Sequence, residues 1–396
     1  MDTTLPRLRD DAVIRRFDGG EPAASFIIEV DGRHYVATKW VVSLLELTRH
    51  ARTHAALARG MFERFGRQFT DDELDVALRT RIPVAFFHAD GAGADQGPLP
   101  WRWRVLNAAA LEPVLQITSK LFYRPLAFAL IALFLGLDVL VGLQVWRDGL
   151  SSASHGSLTG ACAIVLAGVV LHEFGHLSAC HRFGAPHGGI GVGLYWYMPV
   201  LYAEVHGAWM LPRLQRAAVD IAGIYFQCAF LAVVAALWLI HPFGTLLIVL
   251  WTSHFLVLNT LNPVLKFDGY WLLSDLSGHY NLHRRVRGIA RQCWLALLRQ
   301  PRSAWPSPQD CRLLSLFMAL AGAYFAYLLH FLAHNLAYTA SRIQLEQSVP
   351  RLATAVTGLA LMATVALGVS VMLARAIHRV IVVDRAELTG RSCVGI

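Results

Sequence analysis

Charge is scarce in this chain. Only 16% of its 396 residues are Asp, Glu, Lys or Arg, 55% are apolar, and the mean hydropathy is +0.45. A soluble fold of this length needs a charged surface, so an ordinary soluble protein is excluded. Lysine is scarcest, with Lys39, Lys120 and Lys266 the whole complement. Paired cysteines are missing too. The six cysteines (162, 180, 228, 293, 311 and 393) form no C-x-x-C pair, which argues against a disulfide framework and for a reduced chain. The first hundred residues hold no compact apolar stretch behind a basic start, so no signal peptide is expected.

Long apolar runs are what the chain does have. Six of them, at 125–146, 158–179, 217–240, 242–263, 313–337 and 352–374, are of the length a bilayer core of roughly 30 Å demands of a helix. The formal charge of +8 follows their topology. Through Arg124 there are 17 Lys+Arg and 16 Asp+Glu, which leaves no phosphate-binding footprint, and no nucleic-acid partner is expected. With the N-terminus in the cytosol and six alternating helices, 32 basic residues fall inside and 3 outside. That asymmetry predicts cytosolic termini. The expectation is an integral protein of a bacterial inner membrane, with the lipid bilayer as its first partner.

The expected fold is mainly α: a polytopic membrane protein with six transmembrane helices, a re-entrant β-like segment and a small winged-helix-like α+β N-terminal domain. The N-terminal domain, 1–89, begins with two β-rich runs joined around Asp31-Gly32, a hairpin signal. Three short helices follow, the third opened by a Thr70/Glu73 capping box. Residues 90–124 read as a Gly/Pro-rich linker and an interfacial helix over 101–121. The first four spans form a core over 125–280. A basic amphipathic helix occupies 281–312, and the fifth and sixth spans and a cytosolic tail occupy 313–396. Within the core, 188–211 is glycine-rich and β-prone, and backbone of that kind at membrane depth must be shielded or line a wet cavity.

The chemistry sits in the second run, as His172-Glu173-Phe174-Gly175-His176. Two histidines at i and i+4 share a helix face and suit one tetrahedral zinc ion, with Glu173 beside them to take a proton. An unpaired Glu at hydrocarbon depth costs about 3 kcal/mol, so the cluster needs a purpose. The candidate third ligand is Asp268, in Asn262-Pro263-Val264-Leu265-Lys266-Phe267-Asp268-Gly269. Topology supports it. His172 lies 14 residues into a span running inward, about 21 Å at 1.5 Å per residue, and Asp268 follows the inner end of another inward span. Pro263 breaks that span, and Gly269 lets the chain approach closely after the ligand.

These motifs resemble the site-2 protease or M50 family of intramembrane zinc metalloproteases over residues 120 to 280. The nearest likeness is to its peptide zinc metalloprotease branch, which carries Pro199, Tyr202, Glu204 and Trp209 in M-P-V-L-Y-A-E-V-H-G-A-W and K-F-D-G-Y-W around the acid. Phe267 replaces the family's usual Leu, and a second proline near the acid is missing. The resemblance implies one Zn2+ per chain on His172, His176 and Asp268, Glu173 as general base and Asn262 as oxyanion donor. Pro199, Tyr202, Glu204 and Trp209 are the implied substrate-binding residues. The N-terminal module resembles a PqqD-like peptide-recognition domain. That implies a ribosomally made precursor peptide or a membrane-associated peptide as substrate, with a peptide exporter as partner. Two other classes stay open. His330 and His334 repeat the i, i+4 spacing and, with His181, His187, His206 and His254, raise a di-iron oxygenase. A catalytically silent peptide-binding export partner is the other.

Overall fold

The computed structural model describes residues 5–18, 26–30, 33–80, 82–83, 86–87, 102–149, 156–195, 198–279, 281–298, 307–345 and 393–395. The chain divides into two units. The first comprises Met1–Leu261, Phe267–Tyr280 and Arg391–Ile396, and the second Asn262–Lys266 and Asn281–Gly390.

The first unit opens with antiparallel strands β1 (Val13–Arg16), β2 (Phe26–Val30) and β3 (Arg33–Ala37). β2 and β3 are the expected hairpin; its turn, Asp31-Gly32, lies outside the described residues. Helices α1 (Lys39–Thr48), α2 (His54–Phe65) and α3 (Asp71–Thr80) follow. Their starts are written in the sequence. Thr38 and Thr53 accept the orphan amides of Val41 and Ala56. Before α3, the Glu73 amide donates to Thr70 Oγ1 at 3.2 Å and the Thr70 amide to Glu73 Oε2 at 3.1 Å, a reciprocal capping box. Ile28, Val30, Leu44, Leu45, Leu57, Met61, Leu74 and Phe86 close one core between sheet and helices.

The expected interfacial helix at 101–121 begins instead as a strand, β4 (Arg102–Leu106), and only then becomes α4 (Ala108–Thr118). β4 is exposed along most of its length, so side-chain burial does not select it. Its main chain pairs with β5 (Ile190–Tyr195), which pairs in turn with β6 (Met198–Ala203), giving the order β4-β5-β6. The segment read as β-prone is thus a hairpin, and among the described residues no strand pairs with the outer edge of β6. A short strand β7 (Cys393–Gly395) lies beside β3 in the N-terminal sheet.

Among the described residues, three helices are long and apolar enough to cross a membrane: α5 (Arg124–Asp148), α6 (Leu158–Phe183) and α7 (Arg213–Ile240). α8 (Gly244–Thr260) is apolar but only 17 residues long. Of the six expected spans, the fifth falls within α11 (Pro308–Leu345), and the sixth, 352–374, lies outside the described residues. Val141, Ala161, Leu231, Trp238, Leu247 and Leu250 bind α5 to α8 into one apolar core. α6 and α7 touch backbone to backbone at Gly175: a Cβ there would stand 2.4 Å from the Ala222 carbonyl oxygen. α9 (Asp268–Ser277) closes the unit.

The second unit carries α10 (Leu282–Leu297) and α11. Arg285 pairs with Asp310 at 2.7 Å, joining the two helices. His283 Nε2 lies 2.9 Å from the Val264 carbonyl. Burial, with Lys266 nearby, lowers the His283 imidazole to about 4.

Candidate metal centre

α6 reads as an apolar helix until its last three turns, where burial reaches His172, Glu173, His176 and Ser178. The i, i+4 spacing puts both imidazoles on one face, with ring centroids 4.8 Å apart and planes at 78°. α7 fixes how each ring faces. His172 Nδ1 lies 3.1 Å from Gln227 Oε1, and His176 Nδ1 lies 2.8 Å from the Val219 carbonyl oxygen. Both partners are acceptors, so each Nδ1 carries the proton and each Nε2 is left with a lone pair. Those two lone pairs face one another at 3.1 Å.

Asp268, the first residue of α9, completes the triangle. Its Oδ2 stands 3.0 Å from His172 Nε2 and 3.3 Å from His176 Nε2. That oxygen is buried and has no hydrogen-bond partner. Three electron-rich atoms converging at this separation repel unless a cation lies among them, and three donors on a tetrahedral zinc ion stand about 3.3 Å apart. Gly223 of α7 leaves the room, because a Cβ there would meet both Nε2 atoms at 2.5 Å. Residues and space therefore fit zinc.

Glu173 is buried next to the triad, where the Ala203 backbone of β6 hydrogen-bonds to it. That contact ties the edge strand to the reactive helix. Two devices support the centre; the second, Gly269, follows the close approach expected from the sequence, and the first was not visible from motif spacing. Arg216 at the start of α7 is buried and makes a bidentate pair with Asp275 of α9, at 2.7 Å from Nη2 and 2.9 Å from Nε. Its remaining donors go to the Leu211 and Asp18 carbonyls, and its guanidinium lies 4.8 Å from the Phe17 ring. A second device is Gly269, whose Cβ would stand 2.0 Å from the Leu261 carbonyl oxygen, so the start of α9 fits against the end of α8 only without a side chain.

The other residues singled out from the sequence lie as follows. Pro199 is exposed on β6. Glu204 pairs with Arg104 of β4 at 2.9 Å and accepts from the Gly189 amide, and the Tyr202 side chain lies over Gly191. Trp209 packs against Trp271, with centroids 5.7 Å apart, and against Phe17. Asn262 belongs to the second unit; it is buried, and its Oδ1 accepts from the Val264 amide at 2.8 Å, which turns its NH2 end to the donor role. His254 lies 3.0 Å from Asp138. The exposed rings of His330 and His334 stack 6.2 Å apart. Among the described residues neither pair joins a cluster of three metal-ligand side chains.

No family model and no solved structure matches the chain. Among curated proteins it is similar to one from Bacillus subtilis (strain 168) named "Putative peptide zinc metalloprotease protein YydH", with 28% identity over 167 residues. The match covers 40% of this chain and 63% of the relative.

Proposed function

We propose that this chain is a zinc-dependent endopeptidase that cuts a peptide bond of a membrane-associated or precursor peptide within the membrane, toward the cytosolic face. The observation that carries the reading is the convergence of His172 Nε2, His176 Nε2 and Asp268 Oδ2 within 3.0 to 3.3 Å, with Glu173 buried beside them. The relative's name is consistent with it.

His172, His176 and Asp268 would hold the ion, and three protein ligands leave one position open, as catalytic zinc requires. A zinc ion bound by these residues would supply Lewis-acid polarisation of a peptide carbonyl and a water made nucleophilic near neutral pH. Glu173 takes the proton of the attacking water on its carboxylate and returns it to the leaving nitrogen. Gln227 and Val219 keep both imidazoles in the tautomer that presents Nε2.

Substrate presentation falls to β6. The Glu204 amide and carbonyl bond to Gly189 and Gly188 on the β5 side. Alternation along an antiparallel ladder then turns the backbone groups of Leu201 and Ala203 outward, and puts Pro199, which has no amide proton, at an outward position. A helical substrate hides its carbonyls in its own hydrogen bonds; one unwound into a strand against β6 exposes them beside Glu173. The assigned role of Asn262 as oxyanion donor rests on its motif. The N-terminal sheet is the assigned recognition surface for a precursor peptide, with a peptide exporter downstream.

The test uses the purified full chain in detergent with a quenched-fluorescent library of membrane-spanning peptides. Cleavage is expected, is lost on chelation, returns with zinc, and falls about 10³-fold in Glu173→Gln, which keeps its metal. Cleavage that survives Glu173→Gln overturns the reading.

A further inference from the structure

The structure assigns a second divalent-metal site to Glu112, His181 and His187, at the C-terminal end of α6. One ligand atom from each lies within 4.8 Å of the other two. His181 Nδ1 stands 3.5 Å from Glu112 Oε1, and the two histidine ring centroids are 6.0 Å apart. The site is separate from the buried triad. His181 lies five residues beyond His176, about 7.5 Å further along the helix and about 140° around it, so one ion cannot serve both.

Two stretches remote in sequence, α4 and the end of α6 with the loop that follows it, bring these side chains together, and each is held independently of them. Glu112 follows Leu111 on α4, which Leu111 and Leu115 bury against Leu177 and Ile190. The Thr118 and Ser178 hydroxyls, 2.7 Å apart, join the same helices. His187 stands between two pinned neighbours. Pro186 abuts Gly207, where a Cβ would lie 2.0 Å from the Pro186 carbonyl oxygen, and the Gly188 amide donates to the Glu204 carbonyl at 2.8 Å. His187 Nδ1 faces the carbonyl oxygen of Gly188 at 3.3 Å, so Nδ1 carries the proton and Nε2 keeps the lone pair a metal needs.

The donor set selects the metal. Two imidazoles and one carboxylate suit zinc, whereas calcium and magnesium take oxygen ligands. The partial negative charge of the α6 C-terminus also favours a cation there. The side chains of His181 and Glu112 are 26% and 45% exposed, which leaves water to fill the remaining coordination and lets the ion exchange. An ion at this place clamps β4–α4 to α6 and to the loop feeding β5. It thereby braces the sheet whose far edge is β6.

The test is zinc counting by inductively coupled plasma mass spectrometry on the tag-free full chain in detergent, stripped with chelator, reloaded with zinc chloride and desalted. Two zinc ions per chain are expected for the wild type. His181→Ala and His187→Ala should each retain one, as should His172→Ala, and the His172→Ala/His181→Ala double variant should retain none. Glu112→Gln should weaken the second ion at least about tenfold in competition with a chromophoric chelator. A wild type that binds one zinc, unchanged in His181→Ala, overturns the proposal and leaves the buried triad intact. A second zinc that survives both His181→Ala and His187→Ala overturns it equally.

Discussion

The buried cluster and the half-exposed cluster on α6 use the same ligand chemistry, two imidazoles and a carboxylate, in opposite settings. His172 and His176 are each 8% exposed, and partners on α7 fix both ring orientations before any ion arrives. At the other cluster His181 is half-buried and only His187 has its tautomer fixed by a neighbour, Gly188. The difference teaches what burial adds. It excludes water, strengthens the pull of a cation on a nearby carbonyl and holds Glu173, the proposed proton acceptor, in place. Exposure would leave an exchangeable clamp open to water. The proposed chemistry belongs to the first setting and the proposed bracing to the second.

The comparison can be broken most severely at Gly223, which belongs to neither ligand set. Gly223→Ala drives a methyl into both Nε2 atoms, so the buried zinc is lost and peptide cleavage with it, while the zinc at Glu112, His181 and His187 stays. Metal counting alongside cleavage reads both outcomes. Next comes Arg216→Ala, which strands a buried Asp275 without its cation and loosens α9 beneath Asp268. A loss of about 3 to 5 kcal/mol in unfolding free energy is expected by denaturant titration. Zinc affinity should fall at the buried cluster alone. Gln227→Leu sharpens the contrast by releasing only the His172 ring. Affinity at the buried cluster should drop about 10- to 100-fold by chelator competition, and affinity at the exposed cluster should not move.

A last effect lies outside both clusters and separates stability from metal. Burial, with His206 nearby, lowers His34 in β3 to about 4 from 6.5. The unfolded chain therefore takes up a proton first as pH falls. The contribution is complete above pH 6.5 and is lost between 6.5 and about 4, up to about 3 kcal/mol. Protection factors of amides in Phe26–Ala37, corrected for intrinsic exchange, should fall over that range. His34→Gln should flatten the dependence.

Local signals were legible in the sequence, and distant pairings were not. The α6 histidines follow from helical period, and the Thr70/Glu73 box from a three-residue spacing. Asp268 was reachable because topology sent two spans in the same direction. β4 was not, since its side chains are exposed and its strand character comes from the unpaired edge of β5, with Arg104 and Glu204 joined across 100 residues. Gln227, Val219 and Gly223 escaped because their roles depend on how α7 is turned against α6, which no single-helix period encodes. The pairing of His181 with Glu112 likewise needs α4 seated on α6. The spacing of His181 and His187 around Gly184 and Pro186 was the only local hint.

The most direct test of the account is the zinc K-edge X-ray absorption of a Glu112→Gln/His181→Ala/His187→Ala variant, which carries the buried cluster alone. The account predicts one zinc per chain in a nitrogen and oxygen shell at about 2.0 to 2.1 Å, with the scattering pattern of two imidazoles. A sulfur shell, a single imidazole, or a variant that binds no zinc would contradict it.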